Sequence, residues 1–209
     1  MADDSLPISH AQAHRAAQWM VDNFDEKLAT AIKGTVFKKK HLCAIVCQET
    51  AYVWLGWLKK LDAPQILGRC VFDASGDASG TSRSAFPKNT AAFEEKFGKD
   101  FTTELIDEAN ATRKLRGYGD KKWVYKGYGL FQYDLQAVLT DEAFFRDKKW
   151  YSFDACLANA MSELKKKYAA TGDIWKAIKA YNGSGPKADQ YMKNVKAFTK
   201  DCAAVTGEQ

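Results

Sequence analysis

The chain has 209 residues, of which 46% are hydrophobic and 27% are charged. This composition excludes a disordered or fibrous chain and is typical of one globular domain with a sizeable core. The net charge of +5 favours encounter with acidic partners such as cell-wall polymer, nucleic acid or a membrane surface, although the lysine runs at 38–40 and 165–167 are more typical of solvated helix faces. No nucleic-acid-binding motif accompanies these runs, so nucleic acid is not an expected partner.

The N-terminal segment has neither a basic start nor an apolar run, so no signal peptide is predicted. No apolar stretch approaches the length of a transmembrane helix, which argues against stable membrane insertion. A protein that acts outside the cytoplasm would then need release by phage-type lysis or export by a dedicated secretion machine.

The first part of the chain is predicted to be helical. Ser9 is placed to cap a helix that ends at Gly34, and a kink is compatible with the sequence near Asn23. A second helix from about Lys38 puts four residues on one face: Leu42, Ile45, Val46 and Glu49. The tryptophans that follow, Trp54 and Trp57, are more typical of a core than of a binding surface.

A segment rich in Gly, Ser, Asp and Asn, residues 73–89, interrupts the helical pattern. It is too long for a simple connection in a compact domain, so we expect it to be functional or packed as an ordered lobe. Two helices are predicted after it, and then a β-hairpin around Gly127 and Gly129. The C-terminal part is helical again, with a break at Gly172 and with Pro186 as the first residue of the last helix.

The five cysteines are Cys43, Cys47, Cys70, Cys156 and Cys202. Cys43 and Cys47 lie one helical turn apart, a poor geometry for a mutual disulfide, and the set lacks the spacing of a zinc site. Reduced, buried thiols are the default interpretation, with one or two disulfides to distant cysteines as the alternative. No metal and no cofactor is predicted.

Glu49 is a carboxylate on a helix face that should be buried. Burial disfavours the ionised form and raises the pKa, as a general acid near neutral pH requires. The structural alternative is an acid at a helix end, half exposed or paired with a lysine, and for Glu49 alone this alternative is the better interpretation. Asp134, at the end of the hairpin, is expected to be better solvated and ionised, which would complete the pair of carboxylates that a glycosidase uses.

Three segments in order resemble motifs of the lysozyme-like superfamily. The segment around Glu49 reads AIVCQETAY and is similar to the helix end that carries the catalytic glutamate. The hairpin reads GYGLFQYD and is similar to the Gly-Leu-hydrophobic-Gln segment of goose-type lysozymes and soluble lytic transglycosylases. The third segment, AIKAYNGSGP, resembles their Ala-Tyr-Asn segment.

The resemblance implies a role for each matched residue. Glu49 would protonate the glycosidic oxygen, and Gln132 would line the cleft and orient the sugar or the acid. Tyr181 would reach toward Glu49 or the sugar, with Asn182 shaping the turn. Asp134 matches an aspartate that helps position the attacking water in goose-type lysozymes and that typical lytic transglycosylases lack. It therefore favours hydrolysis over formation of a 1,6-anhydro product.

The connection from Glu49 to Asp134 is much longer than in goose-type lysozymes, and this departure adds further candidates. Asp73 and Asp77 are candidates for a second cleft aspartate, and Thr81, Ser82 and Arg83 for substrate contacts. Capping of turns is the equally weighted alternative for the two aspartates. Tyr128 is predicted either to stack on a sugar or to fill the back face of the hairpin.

The resemblance implies a mainly α, α+β lysozyme-like fold. Helical lobes would surround a central catalytic helix and a small β-hairpin, with a cleft between them, in a single domain of residues 1–209 with an inserted lobe at about 62–122. The expected activity is hydrolysis of β-1,4 linkages in peptidoglycan by a monomeric muramidase. Asp134 favours the inverting form of this reaction. A lytic transglycosylase or a chitinase is the close alternative. A non-catalytic wall-binding module of a phage or secretion assembly is the alternative of another class, and an immunity or secretion partner is compatible with either.

Overall fold

The computed structural model describes residues 6–73, 77 and 86–208. Its helices in chain order are α1 (His10–Ile32), α2 (Lys39–Val46), α3 (Tyr52–Trp54), α4 (Ala63–Arg69), α5 (Thr90–Phe97), α6 (Lys99–Leu115), α7 (Glu142–Arg146), α8 (Phe153–Thr171), α9 (Ile174–Asn182) and α10 (Gly185–Thr206). A π-helical turn (Cys47–Ala51), two 3₁₀ turns (Leu135–Leu139 and Lys149–Tyr151) and strands β1 (Val71–Phe72), β2 (Gly127–Tyr128) and β3 (Tyr133–Asp134) complete the secondary structure. The fold is mainly α with one small sheet, as the sequence predicts.

The chain divides into two compact units. Unit 1 comprises Met1–Lys59 and Leu157–Gln209, and unit 2 comprises Lys60–Cys156. The sequence predicts an inserted lobe at about 62–122 within a single domain. Unit 2 starts near that point but continues to Cys156, because the hairpin pairs with β1 and α4 packs on the Lys149–Tyr151 turn.

Helix α1 begins and bends where its sequence indicates. The Ser9 side chain accepts a hydrogen bond from the Gln12 backbone N–H, and Gln12 Oε1 accepts one from Ser9, which forms a capping box. Phe24 has a non-helical φ of −142°, next to the predicted kink at Asn23. The helix ends at Ile32, two residues before Gly34.

The core of unit 1 forms where α1, α2 and α10 pack on one another. Met20 and Leu28 of α1 and Leu42 of α2 are fully buried, and burial of each such side chain contributes roughly 1.5–3 kcal/mol. Trp54 is also fully buried and packs on Trp19 with ring centroids 4.5 Å apart. Trp54 and Trp57 are therefore core residues, as predicted.

The C-terminus anchors the start of α2. The Glu208 carboxylate accepts hydrogen bonds from the backbone N–H groups of Lys39 at 3.2 Å and Lys40 at 2.8 Å. His41 is buried, and its Nδ1 accepts a hydrogen bond from the Lys38 N–H. Burial, and then the charge of Lys40, lowers the pKa of His41 to about 4. These contacts satisfy N–H groups that a helix start leaves unpaired.

Unit 2 contains the antiparallel sheet in the order β1-β2-β3. Val71 pairs with Tyr128, and Tyr128 pairs with Tyr133, so the predicted hairpin forms and gains a third strand that the sequence reading misses. Tyr128 is fully buried, with its ring edge-on to Phe145 and Trp150. A ring enclosed in this way cannot stack on a sugar, so Tyr128 fills the back face of the hairpin and the substrate-contact prediction for it is withdrawn.

A buried ion cluster joins α4, α6 and the Lys149–Tyr151 turn of unit 2. Glu108 of α6 is 9% exposed, and its carboxylate binds Arg69, Lys148 at 2.9 Å and the Tyr151 hydroxyl at 2.6 Å. Arg69 also contacts the Tyr151 hydroxyl. Every oxygen of the buried carboxylate therefore has a charged or hydroxyl partner, which is the condition for burying an acid without a large cost.

The five cysteines are buried free thiols, which fits the default interpretation of the sequence. Burial raises the pKa of Cys43, Cys70 and Cys156, the last to about 12. These thiols therefore stay protonated near neutral pH. Among the described residues, no helix combines the length and hydropathy needed to cross a membrane.

Candidate active site

Glu49 lies in a π-helical turn that directly continues α2. All residues of α2 from His41 to Val46 are buried, so this helix end enters the core of unit 1. A π-helical turn is rare and occurs mostly as a single turn near functional sites. The regular helix that the sequence predicts through this point is therefore replaced by a wider turn at the candidate acid.

The environment of Glu49 favours the protonated carboxyl. The residue is half-buried, and loss of hydration raises the pKa of its carboxyl to about 7. The phenol of Tyr191 opposes this shift by interacting with the carboxylate. Among the described residues no lysine, arginine or histidine forms an ion pair with Glu49. A carboxyl in this state can donate a proton near neutral pH.

Tyr191 of α10 is the neighbour of Glu49 that the sequence reading misses. It is 5% exposed, and burial, the charge of Glu49 and the nearby Tyr181 raise the pKa of its phenol. Tyr191 lies on the buried stripe of α10 with Ala188 and Val195, and a tyrosine on an apolar stripe gives no signal that separates a functional phenol from a core ring.

Two buried polar atoms of unit 1 lack a hydrogen-bond partner of normal geometry within the described residues. They are the Tyr191 hydroxyl and Gln48 Oε1. Gln48 directly precedes Glu49 in the π-helical turn. Since buried polar groups are nearly always hydrogen-bonded, such atoms beside a protonated carboxyl are candidates to contact a ligand.

Tyr181 and Asn182 lie at the end of α9 in unit 1. Tyr181 is half-buried and close enough to Tyr191 to influence its phenol, which places it in the group around Glu49. Asn182 is the last residue of the helix and is exposed, followed by Gly183 with a φ of 130°. Tyr191 of α10 is thus a neighbour both of Glu49 in the π-helical turn and of Tyr181 in α9.

The remaining predicted residues belong to unit 2, where Gln132 fixes the hairpin turn. Its Nε2 donates to the carbonyl of Gly129 at 2.9 Å and of Cys70 at 3.3 Å. A Cβ at residue 127 would overlap the Gln132 amide, so this position requires glycine. Gly129 has a φ of 78° and faces the Cys156 thiol, so it is constrained in both conformation and space. The two glycines let the turn close around the Gln132 side chain.

Asp134 is partly exposed at the end of β3. Its Oδ1 accepts a hydrogen bond from the Gln136 N–H at 2.8 Å, which caps the Leu135–Leu139 turn. Its Oδ2 lies 3.1 Å from the Lys126 ammonium, in an ion pair whose carboxylate is 43% exposed. The solvated position predicted for this acid is therefore present, and Lys126 is a partner that the sequence reading misses.

The loop candidates have structural roles where the structure describes them. Asp77 accepts hydrogen bonds from the Thr90 N–H at 2.9 Å and the Thr90 hydroxyl at 2.7 Å, which anchors the start of α5. Asp73 has a φ of 66°, and its carbonyl accepts from the Lys126 N–H. Capping, the alternative reading of this loop, is what Asp77 does. Thr81, Ser82 and Arg83 lie outside the described residues.

Within the described residues, no group of three or more His, Cys, Asp or Glu side chains could hold a metal ion. The groups described are a carboxyl of raised pKa beside the Tyr191 phenol in unit 1 and, in unit 2, a partly exposed carboxylate paired with an ammonium. Searches for relatives found no matching family profile, no match among curated proteins and no match among solved structures.

Proposed function

We propose that this chain is a glycoside hydrolase that cleaves β-1,4 linkages of peptidoglycan, on a lysozyme-like fold, with Glu49 as the general acid. The observation that carries the proposal is the Glu49 carboxyl itself. It lies in a π-helical turn, burial raises its pKa to about 7, and it interacts with the Tyr191 phenol while forming no ion pair within the described residues. An acid that serves only stability normally has a compensating charge when it is buried.

In the proposed reaction Glu49 donates its proton to the glycosidic oxygen as the bond from the anomeric carbon to that oxygen breaks. Water attacks the anomeric carbon from the opposite face, and a second carboxylate accepts the proton of the water. Asp134 is the proposed second carboxylate. An inverting reaction of this kind needs carboxyl groups roughly 6.5–9.5 Å apart. A crystal structure of the protein with a bound oligosaccharide tests that separation directly.

The test of the acid is a Glu49→Gln variant assayed for release of reducing ends from purified peptidoglycan. Loss of general acid catalysis predicts a rate about 10²–10⁴-fold lower. The matched control is Glu26→Gln, which makes the same change at an exposed position of α1 in the same unit. Full activity of Glu49→Gln would exclude the mechanism.

The test of the second carboxylate is Asp134→Asn. Asparagine is as good a cap as aspartate, so the substitution keeps the Leu135–Leu139 turn and removes only the charge. We expect a lower rate of hydrolysis for this variant. Mass analysis of the products separates hydrolysis from lytic transglycosylation. Products lighter by one water would indicate a 1,6-anhydro sugar and a lytic transglycosylase. An unchanged hydrolysis rate would leave Asp134 with its capping role alone.

Zymography on peptidoglycan and on chitin separates the proposed muramidase from a chitinase. A chain that binds peptidoglycan without cleaving it, under conditions where Glu49 is protonated, would instead be a wall-binding module. Peptidoglycan lies outside the cytoplasm, so the proposed site of action is the cell wall.

A further inference from the structure

One short segment of unit 2 is strongly basic. Residues 113–122 contain five lysines and arginines and one acid, Asp120, whereas the whole chain carries a net charge of +5. The segment comprises the last turn of α6 and the loop that follows it. A concentration of one sign of charge on an exposed loop favours encounter with a partner of the opposite sign.

Cations and aromatic rings alternate through this segment, in what we call the cation–aromatic ladder. Arg116 lies over the rings of Phe72 at 5.8 Å and Tyr118 at 5.1 Å. Arg113 lies over the rings of Tyr118 at 5.6 Å and Trp123 at 5.9 Å. Lys121 lies over the Trp123 ring at 5.3 Å.

The loop of the ladder is held firmly to α6. Asn110 exchanges two hydrogen bonds with the backbone of Lys121, at 2.9 and 3.0 Å. Arg113 Nε donates to the Gly119 carbonyl at 2.6 Å, and its guanidinium donates to the Tyr125 hydroxyl at 3.0 Å. The loop backbone and the Arg113 side chain are thus fixed before any ligand arrives, which lowers the entropic cost of binding.

The lysines of the ladder are exposed and its two arginines are partly exposed, and few of these cations pair with a described carboxylate. Tyr118 is 49% exposed, and Lys121 and Lys122 are exposed. Asp120 pairs with Lys114 at 3.6 Å, and no described carboxylate forms an ion pair with Arg116, Lys121 or Lys122. A guanidinium that covers a ring with its face keeps its N–H edge for a second contact. Carboxylates match this edge, because they accept two parallel hydrogen bonds from arginine.

We propose that the cation–aromatic ladder binds the carboxylates of the peptide stems of peptidoglycan. The proposal rests on the proposed function for its choice of polymer, and it assigns that polymer as acidic peptidoglycan rather than neutral chitin. Ring faces that are already covered by cations are poor platforms for stacking nucleobases, which need an open face. A carboxylated polymer, by contrast, needs only the N–H edges and the exposed ammonium groups.

The test is co-sedimentation with insoluble peptidoglycan, in the Glu49→Gln background so that the polymer stays intact. The binding variant combines Arg116→Gln, Lys121→Gln and Lys122→Gln. The matched control combines Lys165→Gln, Lys166→Gln and Lys200→Gln, three exposed positions of unit 1 with the same total change of charge. We expect about tenfold weaker binding for the ladder variant at low salt and little change for the control.

Peptidoglycan whose carboxylates have been amidated provides the reciprocal test. The chain with an intact ladder should bind amidated peptidoglycan as weakly as the ladder variant binds native peptidoglycan. It should also bind chitin weakly. Equal binding by the ladder variant and the control, or equal binding to native and amidated polymer, would overturn the proposal. Tighter binding to single-stranded RNA than to peptidoglycan at the same salt would assign the ladder to nucleic acid instead. Because the assay measures binding alone, its outcome is independent of whether the wild-type chain cleaves the polymer.

Discussion

Each unit of the molecule contains a buried or half-buried glutamate, and the two carboxyl groups have very different partners. Glu108 of unit 2 is surrounded by Arg69, Lys148 and the Tyr151 hydroxyl. Glu49 of unit 1 has a phenol neighbour and no described cation, and burial raises its pKa to about 7. The same residue type therefore forms ion pairs in one unit and has a raised pKa in the other.

The contrast between Glu108 and Glu49 shows that burial alone does not decide whether a carboxyl keeps its proton. Removing water from a carboxylate is costly unless charges or hydrogen bonds replace it. At Glu108 the replacement is complete, so the residue serves as a link between helices. At Glu49 it is incomplete, and the cost is avoided by retaining the proton. The partners of an acid are thus more informative than its exposure.

The largest effect that follows from the comparison is on the stability of unit 2. Glu108→Gln removes the charge that compensates Arg69 and Lys148, and we expect a loss of about 3 kcal/mol in the free energy of unfolding. Lys148 is 42% exposed and can turn to solvent, which keeps the loss at the lower end of the range for buried pairs. Urea unfolding measures it, with Glu104→Gln, an exposed change on the same helix, as the control. Equal urea midpoints for Glu108→Gln and Glu104→Gln would show that the ion pairs of Glu108 do not stabilise unit 2.

The sequence predicts those parts of the fold that depend on neighbours along the chain. The cap at Ser9, the bend beside Asn23 and the hairpin around Gly127 all follow from local residue chemistry. The place of Glu49 at the end of an apolar stripe can also be read from spacing, but spacing alone favours a structural acid, and the three resembling segments are what make it a candidate.

The rest depends on contacts between distant residues and leaves no local signal. The π-helical turn differs from an α-helix by one residue, and nothing in the letters around Glu49 specifies it. Glu108 lies on a helix with many other charges, and its partners Arg69 and Tyr151 come from distant parts of unit 2. Tyr191 similarly reaches Glu49 only because α10 packs beside the π-helical turn.

The second prediction concerns the dependence of stability on pH. The pKa of Glu49 is raised in the folded state, from 4.5 to about 7, so the folded chain binds more protons than the unfolded chain between these values. Stability from this group is therefore present below pH 4.5 and falls by roughly 2–3 kcal/mol as pH rises through 7. His41, whose pKa is lowered to about 4, acts in the opposite direction and costs stability as pH falls below about 6.5.

Comparison of wild type with Glu49→Gln separates the two groups, since His41 is present in both. The variant should gain stability relative to wild type between pH 5 and pH 8, measured by urea unfolding at each pH. If the stability difference between wild type and Glu49→Gln stays constant over this range, Glu49 does not titrate there and the raised pKa is wrong.

The smallest effect is on the pH profile of the proposed activity. The rate should fall on the alkaline side as Glu49 loses its proton, with a midpoint near pH 7. Tyr191 lowers the pKa of Glu49, so Tyr191→Phe should move this midpoint upward by a fraction of a pH unit. Tyr128→Phe removes a buried phenol of unit 2 and should leave the midpoint where it is, whatever it does to stability. A shift in the Tyr128 variant equal to that in the Tyr191 variant would mean that the phenol beside Glu49 has no direct influence on its proton.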